Sequence, residues 1–270
     1  MEPPNEDQRP DGWSRGAASY EELFAPFTGA YADDAIRLLD VTEHDRVLDI
    51  GAGSGAFTTR AAERGASVLA TDFAPGMLEV LNALIAERGL TKVTTAVMDG
   101  QALDVEDNTF DVAGSMFGLI FFPDLDAGMR EMARVVRPRG RLAISSWDLQ
   151  GFGMLAMIGR AIVTVSPEVE LPTQPPPWAR LGAPDTLSAS LTAAGWSEVA
   201  IHTVDHPLVI PDPVAFFHRL GEWSIPARAV LDRIPDGAHA ATAEAFAAEV
   251  AASGGDRITT TALIGTGIAP

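Results

Sequence analysis

Three glycines at alternate positions, Gly51, Gly53 and Gly55, follow directly on the apolar run Val47-Leu48-Asp49-Ile50 and precede a helix-forming stretch over roughly 55–64. Glycine tolerates the tight turn and the close ligand approach that such a strand exit requires. Each of the three costs chain entropy without returning side-chain packing, so the loop reads as a ligand cradle rather than a bare turn. A second apolar run, Ser67 to Asp72, completes a βαβ unit behind it.

The alternation continues. A helix is expected from Pro75 to about Arg88, strands at Lys92 to Met98 and Phe110 to Met116, a helix from Asp124 to Val136 and a strand from Arg141 to Trp147. Strands and helices at this spacing predict an α/β protein with a mostly parallel sheet covered on both faces. Ahead of the sheet, residues 19–45 read as a helical preface, while residues 1–18 are polar and rich in Pro, Gly and charge, the composition of a mobile tail. After Trp147 the texture changes. Residues from about 148 to 184 join an apolar helical stretch, Met154 to Val165, to the breaker-rich Ser166 to Trp178, and residues 211–252 are again helical. Between and after them a helix from Asp185 to Ala194, a strand from Ser197 to Val204 and a last strand from Arg257 to Gly265 are expected. The expectation is a single domain, residues 19–270, whose two late insertions form a lid.

Composition excludes several classes. The 19 Lys and Arg against 37 Asp and Glu leave a net charge of −18, which repels polyphosphate and anionic lipid, so neither nucleic acid nor a membrane is an expected partner. With no cysteine there is no disulfide or thiolate chemistry, and the start Met1-Glu2-Pro3-Pro4 lacks the basic and apolar segments of a secretory signal, so a cytoplasmic location is expected. His202 and His206 are four apart but flank an expected strand rather than share a helix face, and no metal site is expected.

Two ligands compete for the glycine loop. Gly51, Gly53 and Ala56 satisfy a dinucleotide fingerprint, and Asp72 lies about 20 residues on, where it would hold a ribose diol. Three features oppose NAD. Asp49 would set a carboxylate beside a pyrophosphate, whereas it suits a ligand with an ammonium group. Asp99-Gly100-Gln101 follows the third strand, where an Asp accepts from an adenine amino group while the next backbone N–H reaches a ring nitrogen. The helical preface is also more than a dinucleotide domain needs.

The sequence at this point resembles the class I S-adenosylmethionine-dependent methyltransferases, in particular the small-molecule group related to ubiquinone and menaquinone biosynthesis. The motifs are Val47-Leu48-Asp49-Ile50-Gly51-Ala52-Gly53-Ser54-Gly55, Ala70-Thr71-Asp72-Phe73-Ala74-Pro75-Gly76-Met77-Leu78, Met98-Asp99-Gly100-Gln101-Ala102-Leu103, Asn108-Thr109-Phe110-Asp111-Val112 and Arg134-Val135-Val136-Arg137-Pro138-Arg139-Gly140-Arg141-Leu142. Arg139 departs from the family, which has Gly there. The resemblance implies a Rossmann-like, mostly parallel seven-stranded sheet with helices on both faces, an antiparallel last strand and helical lid insertions. It implies that Gly51, Gly53 and Gly55 line the methionine moiety of S-adenosylmethionine, that Asp72 takes both ribose hydroxyls, that Phe73 and Met77 flank the adenine, and that Asp99, Gly100 and Gln101 hold its edge. Ser115 and Met116 would face the sulfonium with backbone carbonyls, and Arg15 and Tyr20 would close over the methionine carboxylate.

The acceptor side is drawn from position. Ligands of open α/β sheets sit outside the carboxyl ends of the strands, so Phe117 and Trp147 are expected to face the acceptor, joined from the insertions by Met154, Trp178 and Phe217. Asp148 reads as a helix N-cap. His218 is the one histidine in an expected lid helix beside aromatics; it reads either as a general base or as a surface histidine. The apolar insertions suit a small apolar or aromatic acceptor, or else a homodimer interface. A methyltransferase is therefore the leading reading. The alternatives are an NAD-dependent oxidoreductase and a protein that binds S-adenosylmethionine for another purpose.

Overall fold

In the computed structural model, which describes residues 6–270, seven strands form one sheet. They are β1 (Arg46–Ile50), β2 (Ser67–Asp72), β3 (Val93–Val97), β4 (Phe110–Met116), β5 (Val136–Trp147), β6 (Ser197–Val209) and β7 (Arg257–Ile268), in the order β3-β2-β1-β4-β5-β7-β6. All pairings among β1 to β5 are parallel, and β7 runs antiparallel to both its neighbours. The Rossmann-like sheet with an antiparallel last strand is thus the one expected. β1 is buried from Val47 to Ile50, as an apolar strand covered on both faces must be. Sequence order reverses between β1 and β4, which opens a crevice at the carboxyl ends of these strands.

Among the described residues ten α-helices surround the sheet: α1 (Pro10–Leu23), α2 (Ala25–Leu38), α3 (Ala56–Glu63), α4 (Pro75–Arg88), α5 (Leu125–Val135), α6 (Gly153–Val165), α7 (Pro184–Ala193), α8 (Pro213–Trp223), α9 (Ile225–Leu231) and α10 (His239–Gly254). Their starts are written locally. Proline occupies the first turn of α1, α2, α4, α7, α8 and α9, where its missing N–H costs nothing. Asp124, Asp212 and Ser224 cap α5, α8 and α9 by accepting from Ala127, Ala215 and Ala227 backbone N–H. Gly89, at φ 65°, ends α4.

Several expectations need correction. Residues 10–18 of the expected tail belong to α1, so the helical preface begins earlier than residue 19; Met1 to Asn5 lie outside the described residues. α1 is held by close packing of small residues. A Cβ on Gly16 would stand 2.7 Å from the Glu222 carbonyl oxygen, and one on Gly76 of α4 would stand 2.8 Å from Ser14. α1 therefore bridges α4 and α8. β6 runs to Val209, so His202 and His206 lie within a strand rather than at its flanks, and His206 Nε2 meets Asp34 Oδ2 of α2 at 2.6 Å. Asp148 caps no helix: its Oδ1 accepts from Gln150 and Gly151 N–H in a turn, and α6 begins at Gly153. Arg139 has φ 64°, a left-handed conformation, which is why glycine suits that position.

Candidate active site

A cavity of about 370 Å³ opens at the carboxyl ends of β1, β2, β4 and β5, with α1 as one wall. Its lower half is built on the glycine loop. Gly51 has φ 65°, and a Cβ there would lie 3.1 Å from Gly118 in the turn after β4. Gly53, at φ 55°, faces open space: no heavy atom stands within 4 Å of a Cβ built on it. Gly55 differs from both. It is the left-handed N-cap of α3, a Cβ there would strike Leu81 Cδ1, and it does not line the cavity.

Two buried carboxylates flank this loop. Asp49 Oδ2 accepts from the Thr58 N–H at 3.0 Å and from its hydroxyl at 2.6 Å, while Oδ1 has no partner among the described residues. Burial pushes the Asp49 carboxyl up to about 7 against the opposing pull of Thr58. Asp72, at the end of β2, accepts from Gly53 N–H on Oδ2 and from Ala74 N–H on Oδ1, both at 2.8 Å. Burial raises it to about 6, opposed by the backbone N–H groups of Ala74, Gly53 and Phe73. Beyond β3, Asp99 Oδ1 accepts from the backbone and side-chain N–H of Gln101, and Gln101 Oε1 accepts from Asp124 N–H at 2.7 Å.

The upper half is aromatic. Trp147 stacks on Phe117 at 3.9 Å between ring centroids and on Phe152 at 4.6 Å, with Phe27 parallel to it at 5.8 Å. Phe24 stacks on Trp223 at 4.4 Å, and Trp13 packs edge-on against Phe121 at 4.8 Å. Phe117 itself has φ 58° and donates its N–H to Ser145 Oγ. Tyr20 lines the same space, its phenol pushed up to about 12 by burial, so it is protonated at neutral pH.

Comparison with known proteins bears on this site. Residues 48–144 match the methyltransferase domain family. Uncharacterised proteins of Mycobacterium tuberculosis and Mycobacterium bovis are 39% identical over 122 residues, 45% of this chain, and the match spans 42% of their length. A demethylmenaquinone methyltransferase of Corynebacterium kroppenstedtii is 36% identical over 173 residues, covering 60% of this chain and 72% of that protein. Nocamycin O-methyltransferase of Saccharothrix syringae is 32% identical over 204 residues, covering 69% and 71%. The chain belongs to the class I S-adenosylmethionine-dependent methyltransferases. At the level of fold, the YcgJ protein of Bacillus subtilis superposes with a TM-score of 0.58 at 18% identity, over 88% of this chain and 97% of that one.

The family's cofactor is S-adenosylmethionine, and the residues present fit it. Asp49 Oδ1 is a buried acceptor without a donor, Gly53 leaves open space at the loop, and a carboxylate stands at the end of β2. The dinucleotide reading is set aside with this.

This methyltransferase places most of the expected residues around one cavity: Tyr20, Asp49, Gly51, Gly53, Asp72, Phe73, Met77, Asp99, Gly100, Gln101, Met116, Phe117, Trp147, Met154 and Trp178 all line it. Others fall elsewhere. Arg15 is exposed and pairs with Glu6, because the outward face of α1 carries it away from the cavity. Ser115 is buried with its Oγ accepting from Leu119 N–H, so it shapes the turn after β4. Phe217 packs behind the wall against Phe246 of α10. His218 is exposed on the outer face of α8, touches only the Phe217 ring among the aromatics and does not line the cavity. Sequence reasoning missed Trp13, Phe24, Thr28 and Phe152 as cavity residues. A lone tryptophan in the polar N-terminal stretch was the one available signal for Trp13; its Nε1 donates to the Asp7 carbonyl.

Proposed function

We propose that the chain transfers a methyl group from S-adenosylmethionine to a small, flat, apolar or aromatic acceptor. The observation that carries this reading is a single cavity with an unpartnered buried carboxylate at one end and stacked aromatic walls at the other. Asp49 Oδ1 takes the cofactor's ammonium group, and the backbone of Gly51 and Gly53 passes along its methionine portion. Asp72 accepts from the ribose diol with the lone pairs left free by Gly53 and Ala74. Phe73 and Met77 enclose the adenine, and Asp99, Gly100 and Gln101 meet its edge. When bound, S-adenosylmethionine supplies an electrophilic methyl group on a cationic sulfur.

The chain's own contribution is alignment and exclusion of water. Phe117, Trp147 and Phe152 give a flat acceptor a face to lie against, and α1 closes the cavity between the lid and α4. The named activities of two relatives, on demethylmenaquinone and nocamycin, support a small acceptor of this kind.

The test uses S-adenosylmethionine labelled in its methyl group, offered with a panel of phenols, hydroxyquinones and aromatic amines. Label in an extracted small molecule, with equal release of S-adenosylhomocysteine, is expected. Binding of S-adenosylhomocysteine with no label transfer to any acceptor would instead favour a cofactor-binding protein with another task.

Gly53→Ala separates the cofactor cradle from the fold. The space at this position is open, so the variant is expected to fold, with a cost of about 1 kcal/mol for a left-handed alanine. The added methyl group stands where the methionine portion must pass. Affinity for S-adenosylhomocysteine is expected to fall at least about 30-fold, a loss of about 2 kcal/mol. Unchanged affinity by calorimetry would remove Gly53 from the site.

A further inference from the structure

The acceptor half of the cavity is as informative for its chemistry as for its shape. Its wall is Phe24, Phe117, Trp147, Phe152, Trp178 and Trp223. Among the described residues that line the cavity, the titratable groups are Tyr20, Asp49, Asp72 and Asp99, and none is Lys, Arg or His. Each is committed. Tyr20 holds its proton at neutral pH, Asp49 is held through Oδ2 by Thr58 while its open Oδ1 is taken by the cofactor's ammonium group in the reading above, Asp72 is bound to the glycine loop and Ala74, and Asp99 is turned onto Gln101.

Charged groups near the wall are also engaged elsewhere. Arg180 donates to the Phe122 carbonyl, Arg219 is paired with Glu22 and Glu222, and Arg228 with Glu6. His206 is paired with Asp34. The hydroxyl of Thr28 donates to the Ala25 and Phe24 carbonyls, and that of Ser224 accepts from Ala227 N–H.

We infer that the acceptor is a flat aromatic hydroxyl compound acidic enough to ionise by itself near neutrality, and that the chain supplies no general base. This inference rests on the methyltransferase reading above. The acceptor's proton leaves to solvent before the cavity closes. A lone pair of the phenolate oxygen then forms the new O–CH3 bond as the S–CH3 bond breaks, its electron pair staying on sulfur. An anion and a cation become two neutral molecules. In a dry aromatic enclosure opposite charges attract far more strongly than in water, so such a cavity favours both the encounter and the neutralisation. Trp223 adds a buried indole N–H with no partner among the described residues, which an oxygen-bearing acceptor is chemically suited to satisfy.

The experiment measures ionisation rather than turnover. The full chain is saturated either with S-adenosylhomocysteine, which is neutral at sulfur, or with an amine analogue that carries a positive charge in place of the sulfonium and transfers no methyl group. The probe is para-nitrophenol, whose phenolate is yellow. With the charged analogue, the ratio of phenolate to phenol on the protein is expected to rise about tenfold or more at a given pH, equivalent to one pKa unit. With S-adenosylhomocysteine no such rise is expected.

An equal rise in both complexes would show that a protein group takes the proton, and would overturn the inference. Failure of the probe to bind a complex that holds S-adenosylhomocysteine tightly would overturn the acceptor class, including in favour of an aromatic amine, while leaving the cofactor reading standing. Failure to bind S-adenosylhomocysteine at all would sink both.

Discussion

Asp49→Asn is expected to weaken cofactor binding sharply while making the ligand-free protein more stable at about pH 8. The carboxyl is buried, its Oδ1 has no partner among the described residues, and burial pushes its pKa up to about 7, well above the usual carboxylate range. A carboxyl raised on folding binds more protons folded than unfolded, so its contribution to stability is fully present below the unfolded value and is lost as pH rises through about 7. Above that pH the ligand-free protein holds an unpaired buried charge, at a cost of up to about 4 kcal/mol from the size of the shift. Asparagine keeps the shape and the acceptor for Thr58 but removes the charge. A gain of about 2 kcal/mol is expected in a denaturant titration at about pH 8, since water in the cavity relieves part of the full cost. Near pH 4 the two proteins should be close in stability.

The same substitution sets an amide N–H against the cofactor's ammonium, so S-adenosylhomocysteine affinity should drop at least about 100-fold, or about 3 kcal/mol. A variant that binds as tightly as the parent would remove Asp49 from the ammonium site.

Trp147→Ala carries the second large effect, and it falls on the opposite half of the cavity. The indole lies between Phe117 and Phe152, with Phe27 parallel to it and Tyr31 and Phe24 at its edges. It is almost fully buried at the end of β5. Removing it deletes most of these contacts and leaves a void that the sheet cannot collapse to fill, at a cost of about 4 kcal/mol. The midpoint of thermal unfolding should fall by about 10 °C.

Methyl uptake should fall further than stability requires, because Phe117 and Phe152 lose the ring that holds them parallel. Trp147→Phe keeps a stacked ring and tests that point without the void. It should retain S-adenosylhomocysteine affinity within about threefold, since the rings packed on the indole are Phe24, Phe27, Tyr31, Phe117 and Phe152, on the acceptor side. Full activity in the alanine variant would show that the acceptor does not use this wall.

Some of this was readable in the chain before any fold was drawn. The run from Val47 to Gly55, the acid at Asp72 and the triplet from Asp99 to Gln101 place the cofactor half, because strand exits, glycine turns and terminal carboxylates are local features with local causes. The acceptor half was legible only in part. Phe117 and Trp147 follow from their places at strand ends, whereas Phe24 and Trp223 meet across most of the sequence and no local pattern pairs them.

The part of α1 ahead of residue 19 escaped notice because its buried positions are Gly12, Gly16 and Ala17, which carry no hydrophobic periodicity. Its helix is selected by close fit against Glu222 and Ser14-to-Gly76 packing, a tertiary cause. In α8 the aromatic run Phe216-Phe217-His218 left the helix phase open. Leu220 and Trp223 fix that phase, and they turn His218 outward and Phe217 toward α10.

The central claim is that Asp49 and the glycine loop bind S-adenosylmethionine in this chain. Calorimetric titration with S-adenosylhomocysteine, at about pH 8 and at about pH 5.5, with NAD in parallel, tests it most directly. Micromolar binding at the higher pH is predicted, weaker by about tenfold or more at the lower pH as Asp49 takes up a proton, with no heat from NAD. No binding at about pH 8, or heat from NAD alone, would contradict the account.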